Sequence, residues 1–247
     1  MKKYFVCLLF FISVIGKEVK SQAIADTTFN NIVSRIAEVY WTSSYVQFKV
    51  SYRYQEVDSA TSVTDTMTMN YQVNKDNFLI SGGGVESMQN ANYKVTVFIQ
   101  DSTMQVEKPM SINYQLFRVN IDENNFRQQY VTGFSKTDSS GFQKISILFK
   151  TDAPYTNYDI TYDTATYRIL SLTYRMKKGN YLTPPSESMM MSIPEGFIVV
   201  QMNFSAFATN AFTDSVFDQA KYFTALNGAF VPVSPYLNFE LINSIVE

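Results

Sequence analysis

The sequence has no histidine in its 247 residues and only one cysteine, Cys7. Histidine is the commonest general base, the usual activator of a nucleophile and the commonest zinc ligand, so its absence excludes three kinds of chemistry together. Cys7 lies in an N-terminal apolar run that we predict is removed, so the mature chain lacks thiol catalysis and metal or haem attachment through cysteine. We therefore predict no cofactor and no metal site.

Other catalytic motifs are also missing. No serine stands three residues before a lysine, and neither a Gly-x-Ser-x-Gly elbow nor a Gly-x-Gly-x-x-Gly fingerprint occurs. Carboxylates remain, and a glycosidase-type pair of acids is the enzymatic alternative. However, most acids occupy turn positions, where aspartate is favoured for local hydrogen bonding, among them Asp76, Asp101, Asp122, Asp138 and Asp163. We predict that the protein is not an enzyme.

The N-terminus has the composition of a secretory signal peptide. Two lysines precede an apolar run from Tyr4 to Ile15, and small residues follow at Ala23 and Ala25. We expect cleavage after Ala23 or Ala25, which predicts an exported protein of the periplasm or the medium. The run is shorter than the roughly 20 residues that span a bilayer, so an uncleaved anchor is the weaker alternative, and no second run is long enough to span.

Positive charge is scarce in the predicted mature chain. Residues 1–23 carry four of the 20 basic residues and one of the 22 acidic residues, which leaves 16 and 21 and a net charge of −5. Because nucleic-acid binding depends on lysine and arginine contacts to phosphate, we predict that nucleic acid is not a partner. With no cysteine there are no disulfides either, so an apolar core must supply the stability.

Alternating apolar and polar residues dominate the rest of the chain. The longest runs, Val46–Gln55 and Val63–Val73, predict two antiparallel strands with one apolar and one polar face. Similar runs recur as far as Ile198–Ala206, whereas Thr27–Tyr40 has helical spacing with Thr27 or Thr28 as its N-cap. The predicted fold is α+β, mainly an antiparallel meander with one N-terminal helix packed on it. The triple glycine Gly82–Gly84 lacks the following lysine of a phosphate loop, so we interpret it as a turn.

Methionine is frequent on the predicted apolar strand faces. Its flexible, polarisable side chain suits a surface that must accommodate variable apolar ligands, although ordinary core packing explains the same pattern. We predict that one apolar face of the sheet binds the ligand, lined by Phe48, Val50, Tyr52, Met67, Met69, Tyr71, Val95 and Val97.

The layout of residues 27–178 resembles that of the periplasmic lipoprotein carriers, the LolA and LolB-like proteins. In particular, Tyr158–Asp163 followed by Tyr167–Leu172 is similar to that family's hairpin of a polar strand, a turn and an apolar strand. The composition also resembles exported proteins of Bacteroidetes. The resemblance implies a strongly curved sheet, an open half-barrel, whose concave apolar face holds acyl chains.

Three segments follow from these observations. Residues 1–23 are the signal peptide, residues 24–182 are the curved-sheet domain, and residues 183–247 are a C-terminal extension that we expect to belong to the same domain. Two functions remain open. The protein binds a lipid or an acylated protein on its apolar face, or it is a protein-binding or assembly module of the envelope whose core is filled.

Overall fold

The computed structural model describes residues 21–41, 44–57, 64–110, 124–178, 196–226 and 229–245. Most of the predicted signal peptide and the boundary at residues 182 and 183 lie outside these ranges. None of the helices within them is both long enough and apolar enough to cross a membrane.

Strands make up most of the described chain. Two α-helices are present, α1 (Asp26–Trp41) and α2 (Asn124–Tyr130), with two short 3-10 helices at Asp214–Phe217 and Gln219–Lys221. The strands are β1 (Ser21–Ile24), β2 (Val46–Val57), β3 (Thr64–Asn74), β4 (Asn77–Gly82), β5 (Val85–Gln89), β6 (Lys94–Phe98), β7 (Thr103–Glu107), β8 (Val131–Ser139), β9 (Phe142–Phe149), β10 (Tyr155–Asp163), β11 (Ile169–Lys177), β12 (Phe197–Ala208), β13 (Phe223–Leu226), β14 (Ala229–Pro232) and β15 (Glu240–Asn243).

Thirteen of the described strands form one open sheet, in the order β1-β8-β9-β10-β11-β12-β2-β3-β4-β5-β6-β7-β15. All neighbours are antiparallel except β15, which runs parallel to β7. The predicted α+β fold with a curved, mainly antiparallel sheet is confirmed. The chain order is not a single meander, because β12 returns to pair with β2 and joins two meanders, β8–β12 and β2–β7.

Helix α1 packs on one side of this sheet, which we call the helix face. The Phe29 ring stacks on Phe134 of β8 at 3.9 Å between ring centroids, and Tyr40 meets Phe48 of β2 edge-on at 5.3 Å. The Tyr40 hydroxyl also accepts a hydrogen bond of 3.1 Å from the backbone N–H of Ile169. The apolar spacing along the helix therefore matches its packing, as predicted.

The predicted N-cap is wrong by two or three residues, because Ala25 occupies the N-cap position. Helix α1 begins at Asp26, and the N–H of Phe29 bonds to the carbonyl of Ala25 at 3.1 Å. Thr27 and Thr28 are therefore inside the first turn. An aspartate at the helix start interacts favourably with the helix dipole, which explains why the helix extends to it.

The opposite side of the sheet, the tail face, carries a second core. Five fully buried residues of β5–β7 lie there, namely Met88, Val95, Val97, Met104 and Val106. They pack against Phe217, Tyr222 and Phe223 of the chain that follows β12, residues 209–226 and 229–245, which we call the C-terminal segment. The register fixes this assignment, because residues directly opposite in neighbouring strands share a face. Met88 pairs with Leu79, which pairs with Gln72, which pairs with Gln47 on the polar side of β2.

The C-terminal segment covers the tail face and closes one edge. The Tyr222 hydroxyl donates to the Glu86 carboxylate at 2.6 Å, and the Asn90 amide donates to the Phe217 carbonyl at 3.0 Å. The hairpin of β13 and β14 places Phe223 and Phe230 in contact, with centroids 4.6 Å apart. Strand β15 then pairs with β7, so this part of the extension is built into the sheet.

The triple glycine forms the tight turn between β4 and β5, as interpreted from the sequence. All three residues have positive φ, at 144°, 57° and 80°. A Cβ on Gly82 would lie 2.0 Å from the Thr68 carbonyl oxygen, so the strands can approach this closely only with glycine there.

We predict that Val97→Asp destabilises the protein far more than Thr96→Asp does. Val97 is fully buried under the C-terminal segment, whereas Thr96 is half-buried on the helix face of the same strand. A charge at the buried position should lower the free energy of unfolding by more than about 3 kcal/mol, against about 1 kcal/mol at Thr96. Denaturant unfolding monitored by circular dichroism measures both losses, and equal losses would contradict the assigned register.

Candidate functional site

The structure brings six of the eight predicted ligand-binding residues together. Phe48, Val50 and Tyr71 are buried in the helix-face core. Tyr52, Met67 and Met69 are half-buried on the same face, since Val50 pairs with Met69 and Tyr52 with Met67.

Val95 and Val97 do not lie with the other six. Both are fully buried in the tail-face core, on the opposite side of the sheet, so the prediction of one common surface is wrong for these two residues. The predicted alternation of β6 itself is confirmed. The sequence pattern marks which residues share a face, but it carries no information about which side of the sheet that face joins.

Three further half-buried residues of the helix face lie beside Tyr52, Met67 and Met69 or close to them. Met202 of β12 pairs with Tyr52, while Tyr54 and Tyr174 both pair with Val200. Together they form what we call the tyrosine–methionine patch, consisting of Tyr52, Tyr54, Met67, Met69, Tyr174 and Met202. The alternation of Ile198–Ala206 identifies Met202 as a strand residue, but no signal in the sequence indicates that its strand lies beside β2.

Tyrosine hydroxyls supply the polar atoms of this surface. The hydroxyls of Tyr52 and Tyr71 lie 2.5 Å apart and share a hydrogen bond, and the Tyr71 ring stacks on Phe48 at 4.7 Å. Burial raises the pKa of both hydroxyls above the ordinary value, and the neighbouring hydroxyl raises that of Tyr52 further. Both groups are neutral hydrogen-bonding groups at physiological pH.

The two methionines of β3 converge at the β4–β5 turn. A Cβ placed on Gly83 would lie 3.0 Å from the Met67 sulfur and 3.6 Å from the Met69 sulfur. Gly83 itself is exposed, so the thioethers reach the rim of the sheet. Unbranched thioether side chains repack readily, which makes this rim an adaptable apolar surface.

Metal ligands and acidic side chains are the other candidate functional groups. No cluster of three or more potential metal ligands occurs within the described ranges. Asp122 and Glu123, whose surrounding sequence has neither the glycine nor the closing glutamate of a calcium loop, lie outside those ranges. The polar atoms of the patch are tyrosine hydroxyls, which suit hydrogen bonding to a neutral ligand.

A polar pocket of about 610 Å³ lies away from the patch, beside the β3–β4 turn. Its one fully buried polar side chain, Gln89, donates to the carbonyls of Asp76 and Met110 and accepts from the Met110 N–H. All three of these bonds are internal to the protein. The Gln89 amide therefore stabilises a chain junction. Neither this pocket nor the two cavities of about 440 and 390 Å³ beside α1 and β8 are lined by the tyrosine–methionine patch.

No family model matches the chain, and no curated protein sequence matches it. Solved structures do match. A LolA superfamily protein from Nitrosomonas europaea is 10% identical, with 77% of this chain and 97% of that chain covered and a TM-score of 0.34. An uncharacterized conserved protein from Thermus thermophilus is 7% identical, with 87% of this chain and 99% of that chain covered and a TM-score of 0.44. A Pseudomonas aeruginosa MucA/MucB complex is 11% identical, with 76% of this chain and 59% of that chain covered and a TM-score of 0.33.

The solved structures with this likeness thus include one of the LolA superfamily, which the layout of the sequence resembles. These identities and TM-scores describe a loose likeness of architecture.

We predict that the free energy of unfolding falls as the pH rises above about 10. Below that pH the buried tyrosines are protonated in both the folded and the unfolded chain, so they leave stability unchanged. Above it the unfolded chain ionises first, because burial raises the folded pKa of Tyr52 and Tyr71 and raises that of Tyr40 to about 12. Urea unfolding at pH 8 to 11 measures the loss. The Tyr52→Phe variant should lose less over this interval, and an equal loss would show that Tyr52 does not contribute.

Proposed function

We propose that this is an exported, non-enzymatic protein of the cell envelope that binds the apolar chain of a lipid or of an acylated protein. The observation that carries the proposal is the tyrosine–methionine patch, in which half-buried side chains from β2, β3, β11 and β12 meet on the helix face. The predicted signal peptide supports a location in the cell envelope. The small number of basic residues supports a ligand other than nucleic acid.

The energetics of such a ligand are favourable. Each buried methylene contributes about 0.8 kcal/mol, so a chain of about twelve methylenes offers roughly 10 kcal/mol before the costs of ordering and association. That is enough for useful affinity without a charged contact. The Tyr52 and Tyr71 hydroxyls would hydrogen-bond the ester or amide group at the head of the chain, because both stay neutral and lie beside the apolar surface.

A second function is favoured by how tightly the helix face is packed. Phe48 and Val50 are only 3% and 1% exposed, and α1 covers part of this face through Tyr40. A filled core of this kind fits a protein-binding or assembly module of the envelope, with the half-buried tyrosines as contact residues.

The pair Met69→Asp and Asn70→Asp separates the two functions. The residues are neighbours on β3 but face opposite sides, and Asn70 is exposed on the tail face. If the patch binds an apolar chain, Met69→Asp abolishes uptake of a fluorescent fatty acid, Asn70→Asp leaves it unchanged, and both variants still unfold cooperatively.

Other results of these measurements would contradict the lipid-binding proposal. If wild type takes up neither the fluorescent fatty acid nor a fluorescent lipopeptide, the lipid hypothesis is wrong. If, in addition, Met69→Asp unfolds the protein while Asn70→Asp does not, the face is a filled core and the assembly module is the better hypothesis.

A further inference from the structure

Strand β1 is the outermost strand beside β8, and cleavage of the predicted signal peptide would remove most or all of it. Residues Ser21, Gln22, Ala23 and Ile24 of β1 lie opposite Thr137, Lys136, Ser135 and Phe134 of β8. Cleavage after Ala23 removes three of these four residues of β1, and cleavage after Ala25 removes all four. Cleavage after Ala25 thus leaves the outer backbone groups of β8 without partners in β1, and cleavage after Ala23 leaves only Ile24 opposite Phe134.

The β8 edge that remains is held in place by its contacts with the rest of the protein. Strand β8 pairs with β9 along most of its length, and Phe134 is anchored by the stacked ring of Phe29 and by the Arg127 guanidinium 4.8 Å above its ring. An edge held in an extended conformation accepts an added strand at a lower entropic cost than a mobile segment does.

The part of this edge that β1 covers has few of the features that prevent strand addition, because the register shift in the β8–β9 pairing lies beyond it, between Val131 and Gly133. Between Val131 and Thr137 there is no proline, and the single charged residue, Lys136, forms a 3.4 Å ion pair with Asp138. Natural sheets usually protect such an edge with charges, proline or a covering segment. Here β1 is the covering segment.

A cavity continues along this edge beyond the last residue of β1. It has a volume of about 390 Å³ and is bounded by the consecutive residues Val131 to Phe134 together with Asp26, Arg127 and Gln128. Residues 131–133 have no partner in β1, so a strand longer than β1 would continue past this cavity.

We propose that, in the mature protein, the outer edge of β8 receives an extended segment of another envelope polypeptide as an added antiparallel strand. This rests on the export and leader removal of the proposed function. Strand β1 shows the chemistry that fits. It places small side chains, Ser21 and Ala23, opposite Thr137 and Ser135, and an aliphatic one, Ile24, beside Phe134.

The absence of cysteine from the mature chain allows a test of register. The probe is a synthetic peptide of residues 19–25, with either Ala23→Cys or Ser21→Cys, added to mature protein that carries either Ser135→Cys or Thr137→Cys. Opposite pairs can form a disulfide and displaced pairs cannot do so without backbone movement. We expect the Ala23→Cys peptide to cross-link to Ser135→Cys, and the Ser21→Cys peptide to Thr137→Cys, at least about tenfold faster than in the two other combinations.

Several results would overturn the proposal. The first is an equal cross-linking yield in all four combinations. The second is the absence of a cross-link in variants whose unfolding matches that of wild type. The third is a protein dimer linked through Ser135→Cys that forms in preference to the peptide adduct, which would assign the edge to a second copy of the chain. Intact mass of the protein isolated from cells adds a fourth. If residues 21–23 are retained, β1 keeps the edge occupied, and lipid uptake can still be measured independently.

Discussion

The pairing of β12 with β2 is the interaction on which the rest of the structure depends. Phe197–Ser205 runs without interruption against Val57–Lys49, and in the described chain this is the one strand pairing between the β8–β12 meander and the β2–β7 meander. It also creates the candidate site, because it places Met202 beside Tyr52 and Val200 beside Tyr54. Helix α1 then bridges the joint, contacting Phe134 on one meander and Phe48 on the other.

A continuous sheet imposes a second constraint, since each strand has two faces and both must be satisfied. Along β8–β12, β2 and β3 the apolar residues point to the helix face, whereas along β5–β7 they point to the tail face. Strand β4 lies at the change, with Phe78 and Ile80 on the helix face and Leu79 in contact with the tail-face core. The C-terminal segment is therefore required as a cover, because without it Met88, Val95 and Val97 would be exposed to water.

Local pattern is enough to predict much of this architecture. The alternation of β2, β3 and β6, the helical spacing of α1 and the turn at Gly82–Gly84 are properties of short stretches, and the structure confirms them. The neighbour relation of β12 and β2 is a long-range pairing that alternation does not encode. For the same reason the predicted side of the sheet is wrong for Val95 and Val97. The alternation within a strand shows which residues share a face, but tertiary packing decides to which side of the sheet that face points.

The site is predictable to the extent that it lies within one hairpin. Tyr52, Met67, Met69 and Tyr71 come from β2 and β3 and are predicted together, whereas Tyr174 and Met202 join them only through the sheet order. The hydrogen bond between the Tyr52 and Tyr71 hydroxyls depends on the pairing register of β2 and β3 and on the orientation of both side chains. Apolar–polar alternation in the sequence specifies neither.

Native mass spectrometry of the mature protein isolated from the cell envelope, followed by lipid extraction of the same sample, tests the central claim most directly. The account predicts a stoichiometric additional mass that extracts as an acyl lipid or an acylated peptide. A protein mass without any ligand, unchanged after incubation with phospholipid and lipopeptide, would contradict it.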